Sequence, residues 1–434
     1  MTQRFAICNA RLIDPANDID TIGGVLLEDG VIVEAGADLK SASKGVETID
    51  AGGKIVAPGL IDLRVKTGEP GAEHKETLAT ASVAAAAGGV TSFVVMPDTA
   101  PVIDTVALVD FIRRRARDTA SVKIYPAGGL TQDLAGAKMT EIGLMKEAGA
   151  VLFTNGEQAV ENANTMRRAM QYAAGFNALV MSRPDTHSMT TGTMMTHGAF
   201  ADRLGLKGAP PQAEWIALER DLILAEMTGA HLLVDQISTA RSLEIVRVAR
   251  MQGVNAACTV SAMHIFFNEL DVGDYLTYCK VFPPFRDETD RQALVDGIAK
   301  GEIDALVSAH DPQPPEDKRL PLAEATYGAA GLETLLSAAL SLVHNDEVTL
   351  LQALKPLTCG PADLIGLPQG RLSPGAPADL VLFDPDTPWA CNREDLRSRS
   401  KNSPFDGRRL QGRVLRTWVD GVTVFDASAE MAAR

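Results

Sequence analysis

Leu60-Ile61-Asp62-Leu63-Arg64-Val65-Lys66 begins the part of the chain whose alternation decides the fold. Leu60–Val65 reads as an apolar strand, punctuated upstream by Pro58-Gly59. Downstream, His74–Ala87 has helical composition, Ser92–Met96 (SFVVM) is strand-like and Val106–Arg117 is helical. Val122–Tyr125 and Met139–Glu147 repeat the order of strand then helix. Further strands fall near 150–154, 178–182, 231–236, 255–260 and 304–308, each with a helical segment after it. Eight such units in about 300 residues predict an α/β fold, a (β/α)8 TIM barrel. The alternation also suits an open doubly wound sheet, but no GxGxxG follows any of these strands, so a dinucleotide fold has no support.

The two ends read differently from the middle. Arg4–Cys8, Gly23–Leu27 and Val31–Ala35 are apolar runs separated by Asp-Pro and Asp-Gly turn signals. Ala378–Phe383, Val414–Val419 and Val422–Phe425 are strand-like, with a hairpin signal at Asp420-Gly421. Residues 1–57 and 366–434 are therefore expected to build one composite β-sandwich domain, and residues 58–365 the barrel.

A formal net charge of −15 opposes binding to phosphate backbones, so no nucleic-acid partner is expected. The basic run Arg113-Arg114-Arg115-Ala116-Arg117 reads as a solvated helix end. Five scattered cysteines without a CxxC pair imply a reducing compartment. The uncharged stretch Thr77–Pro97 is broken by Gly88-Gly89 and reads as buried helix, turn and buried strand, not a membrane span. The N-terminus lacks signal-peptide architecture. A cytoplasmic protein with no membrane partner is expected.

In a barrel the chemistry sits at the C-terminal ends of the strands. Metal-assisted hydrolysis there needs His and carboxylate ligands, and His-x-His on one strand is economical because residues i and i+2 share a face. The first strand carries Arg64 and Lys66 at that spacing, and neither cation ligates a metal readily. The chain has seven histidines, no two of them two or four residues apart. His74, His187, His197, His231, His264 and His344 read as surface or core residues. His310, followed by Asp311 at the end of the eighth strand, stands where a catalytic group would sit.

Several motifs carry a resemblance. Pro58-Gly59-Leu60-Ile61-Asp62-Leu63 resembles the opening of the amidohydrolase barrel. Glu69-Pro70-Gly71, Glu73-His74-Lys75-Glu76-Thr77, Gly88-Gly89 and Met96-Pro97-Asp98-Thr99 resemble dihydroorotases in particular. So do Lys280-Val281-Phe282-Pro283-Pro284-Phe285-Arg286 (the family's KVNPPLR) and Ser400–Phe405 with Gly412-Arg413-Val414 (its SKNTPF…GRV). The resemblance runs in order along essentially the whole chain. It implies a hydrolase acting on cyclic amides that usually binds zinc.

The departures fall on the chemistry. The family's first-strand histidines fall on Arg64 and Lys66, its bridging carboxylate on Asn155, and its fifth- and sixth-strand histidines on Arg183 and Gln236. Its catalytic aspartate falls on Ala309. The arginine used on the substrate carboxylate falls on Gly68, the asparagine after Met-Pro on Asp98, and the asparagine of KVNPPLR on Phe282. The resemblance therefore implies a non-catalytic dihydroorotase-like homologue without a metal or other cofactor, the vestigial positions being Arg64, Lys66, Asn155, Arg183, Gln236 and Ala309.

Arg64, Lys66 and Arg183 are expected near the lost metal site, with Asp98, Asp185, Asp235 and Asp311 as counter-ions, although Asp235 could point away from the barrel axis. Inactive relatives of this kind imply a structural subunit associated with aspartate carbamoyltransferase, and relatives imply self-association into a homo-oligomer. Two other readings remain open at this point. One is an active hydrolase with an atypical site, using His310, Asp311 and Asp98 as acid–base groups. The other is a binder of small anions through the three cations.

Overall fold

The computed structural model describes residues 4–39 and 46–429. Eight parallel strands form the barrel sheet, paired in sequence order: β1 (Leu60–Val65), β2 (Val90–Val95), β3 (Lys123–Gly129), β4 (Leu152–Thr154), β5 (Val180–Ser182), β6 (Leu232–Val234), β7 (Ala256–Ser261) and β8 (Ala305–Val307). A parallel bridge between Val65 and His310 closes the ring, with Lys66 N–H donating to the His310 carbonyl at 2.8 Å. The principal helices that follow the strands are α1 (Leu78–Ala87), α2 (Val106–Thr119), α3 (Ile142–Glu147), α4 (Ala163–Ala174), α5 (Gln212–Thr228), α6 (Ala240–Met251), α7 (Glu288–Ala299) and α8 (Leu335–His344).

The local causes are readable. β2, VTSFVV, is buried at every position, as suits a parallel strand covered on both faces. α1 starts at Leu78, not His74, because Thr77 caps it through a capping box with Thr80. The uncharged stretch is thus helix, turn and strand. A side chain at Gly88 would overlap the Leu332 carbonyl, and Gly89 has a φ of +79°, so the turn needs both glycines. Ile61, Leu63, Val94, Met96, Leu152, Met181, Leu233 and Val307 fill the barrel interior below the mouth.

The termini build one eight-stranded sheet. Ile55–Pro58, from the N-terminal part, pairs antiparallel with Leu380–Phe383, within the strand Leu380–Ala390. The sheet curls until Val31 bridges Pro377, and its two halves enclose a separate core that includes Ile7, Leu12, Val25, Leu27, Leu380 and Trp418. The first strand runs Arg4–Asp14, well past Cys8, through a register shift between Ile7 and Ala10. Glu47–Asp50 and Ile55–Pro58 are additional strands, four residues each, too short for the sequence to signal.

All five cysteines are free and buried. Among the described residues no helix is long and apolar enough to cross a membrane.

Candidate functional site

The geometry of the mouth begins with an irregularity in β1. Leu63 belongs to the barrel interior, yet the adjacent Arg64 also reaches across the mouth. An unbroken strand alternates faces and could not do both. The register between β1 and β2 shifts between Asp62 and Val65, which turns Arg64 and Lys66 inward together. Asp62 anchors the irregularity, accepting from Arg64 N–H at 3.0 Å and Ser308 N–H at 3.2 Å. Burial pushes its carboxyl up to about 6.

The three cations meet one carboxylate. Glu157, just past β4, contacts Arg64 Nη2 at 2.5 Å, Lys66 Nζ at 3.7 Å and Arg183 Nη1. Arg64 Nε donates to Asp235 Oδ2 at 2.8 Å. Lys66 Nζ also lies 2.9 Å from Asp98 and 3.3 Å from Asp311. Asp235 therefore faces into the mouth, contrary to the alternative of pointing away. Asp185 does not join the cluster; it accepts from Thr190 Oγ1 at 3.0 Å. The central role of Glu157 was missed in the sequence. No signal pointed to it, because the four aspartates assigned as counter-ions already outnumbered the three cations.

Burial alone would pull the Lys66 ammonium down, but the charges of Asp311 and Asp98 outweigh it and its pKa lies above the ordinary lysine value. Burial also opposes ionisation of Asp98, and Lys66 reverses that, holding the carboxyl below its usual range. Arg183, buried and repelled by Arg64, is lowered to about 10 and stays charged at neutral pH. Its guanidinium sits 4.5 Å from the centre of the Phe282 ring and donates to the Phe282 carbonyl.

The other positions are engaged elsewhere. Asn155 Oδ1 accepts from the Thr131 N–H and hydroxyl at 3.1 and 2.8 Å, and Nδ2 donates to the Leu134 carbonyl. Gln236 Nε2 lies 3.5 Å from Asp235 Oδ2. Gln236 and Ala309 adopt left-handed φ values of +53° and +51°. His310 is sealed away from the mouth. Its Nδ1 accepts from Gly331 N–H at 3.2 Å, and Nε2 lies 3.6 Å from Glu76, both side chains fully buried. Glu76 in turn holds the Ser398 hydroxyl and Arg399 N–H. Of the residual acid–base candidates, the structure brings Asp98 and Asp311 together at Lys66 and leaves His310 outside. His264 is buried and lines the mouth with its Nε2 3.1 Å from the Pro283 carbonyl.

These residues do not fit the zinc of the resemblance. Arginine and protonated lysine offer no lone pair, Ala309 offers no donor, and the Asn155 oxygen is turned onto Thr131. Among the described residues no group of three or more His, Cys, Asp or Glu is placed to hold a metal ion. Nor do they suit an anion, because each of the three cations is already met by a carboxylate. The cavity left between Glu157, Gln236, Ser261, His264, Phe282 and Asp311 is about 20 Å³, room for about one water. At Gly68 a side chain would overlap the Ala72 carbonyl oxygen, since the loop has closed with Ala72 N–H donating to the Gly68 carbonyl at 2.5 Å.

Comparison with known proteins agrees with the architecture. Residues 53–242 match the family model described as dihydro-orotase-like, and residues 218–425 match an amidohydrolase family model. A dihydroorotase of Citrifermentans bemidjiense is 40% identical over 421 residues, covering 97% of this chain and 99% of the relative. One from Wolbachia is 38% identical, covering 97% and 96%. The L-hydantoinase of Arthrobacter aurescens superimposes with a TM-score of 0.88 at 27% identity, covering 97% of this chain and 96% of that one. A D-hydantoinase from Thermus sp. gives 0.83 at 21% identity, covering 97% and 95%, a likeness of fold.

Proposed function

The chain belongs to the dihydroorotase family of amidohydrolases, and on that premise we propose that it is a non-catalytic member, a structural or regulatory subunit associated with aspartate carbamoyltransferase in pyrimidine biosynthesis. Opening a cyclic amide needs an activated water and a polarised carbonyl. One observation carries the reading. Arg64, Lys66 and Arg183, at strand ends where the resemblance places the family's ligands, are each locked to a carboxylate, with space left for about one water.

The partner is what the resemblance implies for an inactive relative, and self-association belongs to the same proposal. A cytoplasmic location suits five unpaired thiols. The test has two arms. Purified protein, assayed for metal content and for dihydroorotate turnover in both directions, should show neither; chelator-sensitive turnover refutes the non-catalytic reading. Co-expressed transferase from the same organism should copurify with it. A transferase that is fully active alone and has no affinity for this chain refutes the partnership.

A further inference from the structure

The mismatch between this mouth and a metal has a definite shape. Lys66 Nζ lies 2.9 Å from Asp98 Oδ2, 3.3 Å from Asp311 Oδ2 and 3.7 Å from Glu157 Oε1. Those carboxylates follow β2, β8 and β4, so three strand ends converge on one ammonium. An ammonium is a compact point charge with three donors and no acceptor. It can neutralise converging carboxylates as a bound cation does, but it cannot bind and activate water as a Lewis acid.

The charge count supports this role. Arg64, Lys66 and Arg183 contribute +3, and Asp98, Glu157, Asp235 and Asp311 contribute −4, leaving −1. Without Lys66 the same groups stand at −2. The arginines do not replace it at Asp98. Arg64 is committed to Asp235 and Glu157, and Arg183 to Glu157 and the Phe282 carbonyl.

We infer that the Lys66 ammonium is the resident cation of this barrel, a covalently held substitute for a bound metal ion that keeps Asp98, Asp311 and Glu157 assembled across the mouth. This rests on the non-catalytic reading, because a mouth occupied by its own cation has no place for a catalytic one. It makes the charge balance at Asp98 and Asp311 independent of metal supply and dependent on the Lys66 ammonium.

The experiment compares the full-length wild type with Lys66→Met, Lys66→Arg and the double variant Lys66→Met/Asp98→Asn. Each is unfolded in urea at pH 4 to 8, with EDTA and with added zinc or magnesium. Lys66→Met should have a lower urea midpoint than wild type at pH 7.5, and the deficit should shrink towards pH 4 as the carboxylates take up protons. Adding Asp98→Asn should recover part of the midpoint, because it removes the excess negative charge. Lys66→Arg should keep the wild-type pH dependence, and EDTA should leave the wild type unchanged. If Lys66→Met does not fold, Lys66→Gln takes its place with the same expectations.

A deficit of equal size at every pH, or a double variant weaker than the single one, overturns the inference and leaves the non-catalytic reading standing. Stoichiometric metal in the wild type, with a fall in its midpoint on chelation, overturns both.

Discussion

Arg64 Nε donates to Asp235 Oδ2 at 2.8 Å, tying β1 to β6 between two side chains that are each about 3% exposed. Such a pair gains little over a well-packed apolar replacement, but losing one member strands the other. Arg64→Met should therefore cost about 3–5 kcal/mol. Arg64→Met/Asp235→Leu should cost clearly less. Urea unfolding at neutral pH measures both, and a double variant no better than the single one refutes the argument.

Ala309 holds a left-handed backbone at the end of β8, with a φ of +51°. That conformation costs an L-residue about 1–2 kcal/mol, and glycine gives back part of the gain through its looser unfolded chain. Ala309→Gly should raise stability by about 0.5–1 kcal/mol. The same change at Gln236 also removes a buried side chain and should not stabilise. Thermal unfolding of the two variants separates them.

Gly68→Arg tests whether substrate binding can be reinstalled where the resemblance places the family's arginine. The closed loop leaves no room for even a Cβ beside the Ala72 carbonyl. The variant should lose at least about 2 kcal/mol from overpacking. Dihydroorotate should not raise its melting temperature, and a ligand-dependent rise would show that the loop reopens.

His264 predicts a pH dependence. Burial, with Arg286 nearby, pushes its imidazole down to about 3. The folded chain thus keeps it neutral where the unfolded chain, with its value near 6.5, takes up a proton. The stabilisation is fully present above pH 6.5 and falls by about 1.4 kcal/mol per pH unit below it, until the folded value near 3 is reached. His264→Leu should flatten that slope by about one proton. An unchanged slope between pH 4 and 6 would mean that the native imidazole is charged.

The barrel was legible because its signal is repeated and local. Eight apolar runs such as SFVVM each precede a helical pattern, and punctuation such as Gly88-Gly89 separates them. The cationic strand end was equally plain, because Arg64 and Lys66 lie two residues apart. What the pattern could not reveal depends on contacts distant in sequence. Glu157 is 93 residues from Arg64, and nothing local marks it as the shared counter-ion. The orientation of Asp235 follows from which residues lie across the mouth. The displacement of His310 depends on Glu76 and Ser398, from separate parts of the chain. The strands Glu47–Asp50 and Ile55–Pro58 are four residues each, too short to show a period.

The pairing of Ile55–Pro58 with Leu380–Phe383 also sets a schedule for the ribosome. The partner strand is encoded about 320 residues later. At about 5–20 residues per second, the early strand waits roughly 15–65 s before its mate has been made. Throughout that interval an unpaired, apolar edge is exposed on the nascent chain, which is the condition under which strands join the wrong neighbour. The barrel segment, made in between, can assemble from contacts between consecutive units. The last stretch of translation therefore decides whether the first stretch is rescued, and premature termination beyond the barrel should yield aggregates rather than a trimmed, soluble barrel.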